Sequence, residues 1–199
     1  MEGKMNYNAE LYNTVIQFKG LKEIPGPKDE PIIILAHKLC GEGGSDADHT
    51  IPWCSSFMNL MVLITNCKLN PFRAYQQMKF KNIPEKDIIT IFTLAGKDDI
   101  SMLLKSKNYA IPSTKLLVPA PTFSSGAISW TSWGIPIPRR LRLVGDIVVL
   151  TRDGGNHVAL FDSHEEGRFL LVGGNQHDMV CSADWYDEKR VLGYRRVTV

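Results

Sequence analysis

Ile51-Pro52-Trp53-Cys54-Ser55-Ser56-Phe57-Met58-Asn59-Leu60-Met61-Val62-Leu63-Ile64 sets a proline and a tryptophan before a cysteine. About three turns of uncharged, mostly apolar sequence follow it. Pro52 disfavours helix at Ile51, so a helix is expected to begin near Trp53 or Cys54. Apolar residues on all sides of it predict burial. A thiol in the first turn lies beside unpaired backbone N–H groups and the positive end of the helix dipole, and both favour the nucleophilic thiolate. A lone cysteine at a helix start is ordinarily a small buried hydrophobe. Two polar residues far downstream change its meaning.

At 199 residues the chain suits a single domain, 1–199, with room for a sizeable insertion. Its apolar content of 44% and charged content of 22% are ordinary for a globular protein. A net charge of +2 is too weak to argue for nucleic acid, although a mildly basic face suits an anionic polymer such as a cell wall. Cys40, Cys54, Cys67 and Cys181 are scattered, with no C-x-x-C pair, which predicts neither a zinc framework nor a disulfide scaffold. There is no signal-peptide pattern and no stretch of membrane-spanning length. Synthesis in a cytoplasm is therefore expected, with delivery by another agent if the substrate lies outside.

Outward from the cysteine helix, the chain reads as helices first and strands later. Leu11, Val15 and Phe18 fall at helical spacing, with Gly20 as a C-cap. Pro31 opens a second helix reaching Leu39, ended by Gly41. The loop from Gly41 to His49 carries Asp46, Asp48 and His49, oxygen and imidazole groups that suit a hard cation such as calcium but fall short of its usual ligand count. Residues 66–123 read as a mainly helical middle segment. Asn70-Pro71 caps one helix, Pro84 to Leu94 forms another, and Asp98 or Asp99 caps a short third. No phosphate-binding glycine loop or other cofactor motif is present.

Ser124 to Gly134 reads as a short helix in which Trp130 and Trp133 share a face, either walling a groove or filling the core. Beyond Leu143 the pattern turns to strands. Val144 to Leu150 is β-branched, Asp153-Gly154-Gly155-Asn156 marks a hairpin, and His157 to Phe161 returns. Glu165-Glu166-Gly167 turns again into Arg168 to Val172, followed by Gly173-Gly174-Asn175-Gln176 and short strands near 179–182 and 191–199. The expected class is α+β, an antiparallel meander packed beside helices.

A cysteine nucleophile needs a base near neutral pH and a group that orients that base. Of the five histidines only His157 opens an apolar strand, and Asn175 ends the next one. Adjacent strands bring the two to one sheet edge, where the Cys54 helix can meet them.

Trp53-Cys54-Ser55-Ser56-Phe57, Gly155-Asn156-His157-Val158 and Gly173-Gly174-Asn175-Gln176 resemble, in that order, the motifs of a phage-associated branch of papain-like cell-wall hydrolases related to NlpC-type peptidases and CHAP amidases. Supporting matches are Leu21 to Gly26, Ser129-Trp130 through Gly134, Gly145 to Val149, and Leu192 to Arg196. The resemblance implies a papain-like fold with the cysteine helix on a small antiparallel barrel-like sheet. It implies Cys54 as nucleophile, His157 as general base and acid, and Asn175 as the orienter of the ring. The reaction implied is amide hydrolysis in peptidoglycan through a thioacyl intermediate, by an endopeptidase or a muramoyl-alanine amidase of endolysin type. Backbone donors at the Cys54 helix start would stabilise the oxyanion, and Trp53, Ser55, Trp130 and Gln176 are candidate substrate contacts.

The chain departs from that pattern in the insertion 66–123 and in Asn156, which separates Gly155 from the histidine. The insertion bears on substrate access or on docking to a virion or delivery protein rather than on the chemistry. Two other classes fit the same residues: a structural or interaction protein of a phage on a retired hydrolase scaffold, and a cysteine acyltransferase.

Overall fold

A computed structural model describes residues 6–25, 28–43, 51–98 and 118–198. Helix α1 (Tyr7–Ile16) is capped by Asn6, whose side chain accepts the N–H groups of Asn8 and Ala9. Helix α2 (Pro31–Leu39) starts at its proline, with the Glu30 carboxylate accepting Ile32 N–H. Helix α3 (Cys54–Leu69) is the longest among the described residues, and every residue from Cys54 to Cys67 is buried. All-round burial explains its all-round apolar sequence. Asn70 caps helix α4 (Pro71–Phe80) by accepting Arg73 N–H, and α5 (Glu85–Leu94) follows from Pro84. The third short helix expected near Asp98–Leu104 lies outside the described residues beyond Asp98.

Seven strands follow: β1 (Ile135–Ile137), β2 (Ile147–Arg152), β3 (Gly155–Glu165), β4 (Arg168–Gln176), β5 (Met179–Cys181), β6 (Trp185–Asp187) and β7 (Val191–Arg196). They form one antiparallel sheet in the order β1-β7-β2-β3-β4-β5, with β6 also on β4. The sheet is open, with β1 and β5 at its two ends, rather than the barrel-like sheet expected above. Register sets the hairpins: Arg152 faces Gly155 across Asp153-Gly154, and Glu165 faces Arg168 across Glu166-Gly167. Glu166 and Gly167 both take positive φ (43° and 78°), as the tight two-residue turn requires. The short helix expected around Trp130 is a 3-10 helix (Ala127–Ser132).

Strand alternation divides the sheet into two faces. Ile147, Val149, Val158, Leu160 and Val172 pack with α1, α2 and α3 in the main core. Val148, Leu150, Ala159, Phe161, Phe169, Leu171 and Tyr194 form a second, smaller cluster. Ala74 and Met78 of α4, with Ile88, Ile91 and Phe92 of α5, belong to the main core, so the described helices of the 66–123 segment share it. Polar residues of α3 fasten the returning chain. Asn66 donates to Pro119 O at 2.7 Å, and Asn59 accepts Phe123 N–H at 2.7 Å. Among the described residues no helix is long and apolar enough to cross a membrane.

Candidate active site

The short motifs of the sequence are joined in space by hydrogen bonds. Trp53 Nε1 donates to Glu23 Oε1 at 2.6 Å, tying the Leu21–Ile24 segment to the residue before Cys54. That segment is itself held to β5 and the turn before it: Gly20 N–H donates to Val180 O, Leu21 O accepts Val180 N–H, and Glu23 N–H donates to Asp178 O. Trp130 Nε1 donates to Ser55 Oγ at 2.9 Å, and Ser55 Oγ donates to Ser124 O at 2.7 Å. Arg196 makes two 2.7 Å bonds to the fully buried Asp146, which also accepts from Leu143 N and Asn8 Nδ2. Gly145 permits this approach, since a Cβ there would stand 2.4 Å from Asn8 O.

Glycines bring β4 against the cysteine helix. A Cβ on Gly174 would lie 2.3 Å from Cζ3 of Trp53 and 2.9 Å from Cγ of Phe57, and one on Gly173 would lie 2.7 Å from Cβ of Ala159. Side chains at these positions would push α3 and β3 off the strand.

Cys54 is the first residue of α3 and is 2% exposed. Burial raises its thiol above the usual range. The Val158 peptide N–H, the Arg152 guanidinium, and the Ser55 and Cys54 N–H groups oppose that rise without cancelling it. The helix start thus supplies the donors the sequence promised, but in this closed arrangement desolvation outweighs them and the thiol form is favoured.

His157 is fully buried, and burial together with the nearby Arg152 charge pushes its imidazole down to about 3. In register it faces Leu150, so it shares the sheet face of Ala159 and Phe161, whereas Cys54 belongs to the core on the other face. The sulfur reaches β3 at Val158, one residue on. Neither ring nitrogen of His157 has a hydrogen-bond partner among the described residues, so neither Cys54 nor Asn175 is bonded to the ring.

The ring is oriented instead by a residue the sequence did not single out. Tyr186 of β6 stacks on His157 (centroids 6.2 Å, interplanar 21°), and Phe169 stacks on Tyr186 at 6.0 Å. Tyr186 OH donates to Gln176 Oε1 at 3.0 Å. Gln176 is itself held by donating to Cys181 O at 2.7 Å and Gly173 O at 3.2 Å. Asn175 takes a left-handed backbone (φ 58°), tolerable for asparagine, and its carbonyl accepts Arg152 Nη1 at 3.1 Å. Arg152 is a second group missed earlier. It ends β2, ties β2 to β4, and places a cation where both Cys54 and His157 feel it.

Of the expected substrate contacts, Trp53, Ser55 and Trp130 are fully buried and Gln176 is 2% exposed. Their polar atoms are engaged inside the protein, which makes them supports of the Cys54 turn and the His157 ring. Asp46, Asp48 and His49, the cation candidates, lie outside the described residues. Among those described, no group of three or more His, Cys, Asp or Glu side chains is placed to hold a metal.

In comparisons with known proteins, no family model, no curated protein and no solved structure matches the chain.

Proposed function

We propose that the protein hydrolyses an amide bond of peptidoglycan, with Cys54 as nucleophile and His157 as base and then acid. The observation that carries this is the placement of the Cys54 sulfur, at the first turn of a buried helix and against the Val158 peptide N–H beside His157. The sulfur attacks the scissile carbonyl while its proton passes to the imidazole. The tetrahedral oxyanion meets backbone N–H donors at the start of α3, each contributing about 3 kcal/mol. The imidazole then protonates the departing amine, leaving a thioacyl enzyme that water hydrolyses with His157 as base.

The proton transfer requires a rearrangement on substrate binding that brings the ring, now stacked on Tyr186, within hydrogen-bond reach of the sulfur. Substrate entry also has to uncover a thiol that is 2% exposed. Asn175, one strand away from His157, is the group available to take the free ring nitrogen in that state. Peptidoglycan as substrate, and action at a bacterial wall by virion-associated delivery or lysis, rest on the motif order Cys54, His157, Asn175.

A second assignment, a non-catalytic phage interaction protein on the same scaffold, is favoured by one observation. The His157 ring lies on the sheet face away from α3 and bonds to no neighbour. Digestion of purified sacculi by wild type and Cys54→Ala, with products read by mass spectrometry, separates the two. Fragments released by wild type alone are expected, and their masses name the bond cut. Intact sacculi with both folded proteins would support the interaction protein.

A further inference from the structure

At one end of the sheet, strand β1 runs into the turn Pro138-Arg139-Arg140-Leu141-Arg142-Leu143-Val144. Leu141, Leu143 and Val144 are 54%, 55% and 49% exposed, an unusual density of bare aliphatic side chains. Arg142 stands between the two leucines. That residue is extended (φ −61°, ψ 144°), and its side chain turns inward, 11% exposed, over the rings of Phe161 and Tyr194. Leu141 closes a 3-10 turn (Arg139–Leu141) and Leu143 follows Arg142, and both are left exposed on either side of it.

Cations surround these exposed leucines. Glu188, its side chain only 6% exposed, takes Arg142 at 3.0 Å and also pairs with Arg139. This ion-paired clasp sets the 188–190 turn against the 139–142 turn. Exposed Lys189 and Arg190 thereby join exposed Arg139 and Arg140. An open hollow of about 500 Å³ lined by Pro138, Arg139, Arg140 and Arg142 lies in the same turn.

We propose that this corner docks on the surface of an anionic lipid bilayer. Aliphatic tips ringed by arginine and lysine match the boundary between headgroup and acyl chain, where apolar burial and attraction to anionic headgroups act together. A soluble phosphate polymer would be served by the cations alone and gives no role to three exposed aliphatic side chains. Binding here is peripheral and does not depend on the hydrolase assignment.

Sedimentation with phosphatidylcholine vesicles, with and without phosphatidylglycerol, tests this on the full chain. Wild type is expected to pellet only with the anionic vesicles. Arg140→Gln with Arg190→Gln should weaken binding roughly fivefold per charge removed. Leu141→Ser with Leu143→Ser should weaken it too, and all four positions are exposed enough for the variants to stay folded, which circular dichroism checks. Absence of binding by folded wild type would overturn the proposal. So would binding that soluble polyphosphate abolishes and the leucine variants leave unchanged, or a dimer in sedimentation velocity that the leucine variants dissociate.

Discussion

The carboxylate of Glu23 and the indole of Trp53, thirty positions apart, share a 2.6 Å hydrogen bond within the core beside Cys54. Replacing Glu23 with alanine leaves the buried indole N–H without that acceptor. A loss of about 1–3 kcal/mol is expected. Urea unfolding should show a lower midpoint at unchanged slope. An unmoved midpoint would mean that this bond contributes nothing net.

Ser55→Ala removes both the acceptor of Trp130 Nε1 and the donor to Ser124 O. About 1–3 kcal/mol of stability should go with it. Because Ser55 also adjoins the nucleophile, any hydrolysis of sacculi should fall by more than the fraction unfolded. Equal losses of activity and folded protein would make its role purely structural.

Arg196→Met removes both 2.7 Å bonds and the only cation paired with the buried Asp146 carboxylate among the described residues, leaving it the Leu143 and Asn8 donors. Breaking such a pair from one side costs about 3–5 kcal/mol, and the low end applies because Arg196 is 21% exposed. Thermal unfolding is the readout, and a variant as stable as wild type would refute the assignment.

His157 gives the protein an acid limit. Its folded value of about 3 lies below the ordinary 6.5, so the unfolded chain takes up the proton more readily. The neutral ring's contribution is complete above pH 6.5 and is lost as pH falls through that window toward 3. The slope approaches roughly 1.4 kcal/mol per pH unit from this group. Denaturant midpoints measured across the window should fall steeply in wild type and less so in His157→Phe. Parallel curves would place the acid sensitivity elsewhere.

Arg152 lowers both Cys54 and His157, so Arg152→Gln should raise both. The histidine shift is measurable by NMR titration of the ring C–H, and the thiol shift by the pH dependence of alkylation. An unshifted His157 would show that the guanidinium does not act on the site.

Much of the helical half was legible because its punctuation is local. Asn70-Pro71, Pro31 and Gly41 mark boundaries by side-chain capping, fixed φ or left-handed backbone, and each acts within a turn of its own position. The Asp153-Gly154 and Glu166-Gly167 turns were legible for the same reason. Strands β1 and β6 were not, being specified by their partners β7 and β4 rather than by their own pattern. The site was half legible. Cys54 at the helix start follows from Pro52 and the apolar run. The face on which His157 sits follows from its register with Leu150, and its stacking partner Tyr186 from β6; neither can be read before the sheet is assembled. Arg152 and Tyr186 carried no motif signal, since an arginine ending a strand and a tyrosine in a polar stretch are both ordinary.

Strand β7 is last of the described strands in sequence yet lies inside the sheet, between β1 and β2. Beside it Asn8, near the start of the described chain, accepts Val197 N–H at 3.1 Å while donating to Asp146. On a ribosome, then, the helices and the β2–β4 meander emerge while the gap beside β2 stays vacant and Asp146 still waits for Arg196. Pairings of such long sequence separation form late. The sheet is therefore expected to close only once β7 has been made, and a nascent chain stalled before Val191 should remain protease-sensitive throughout its sheet.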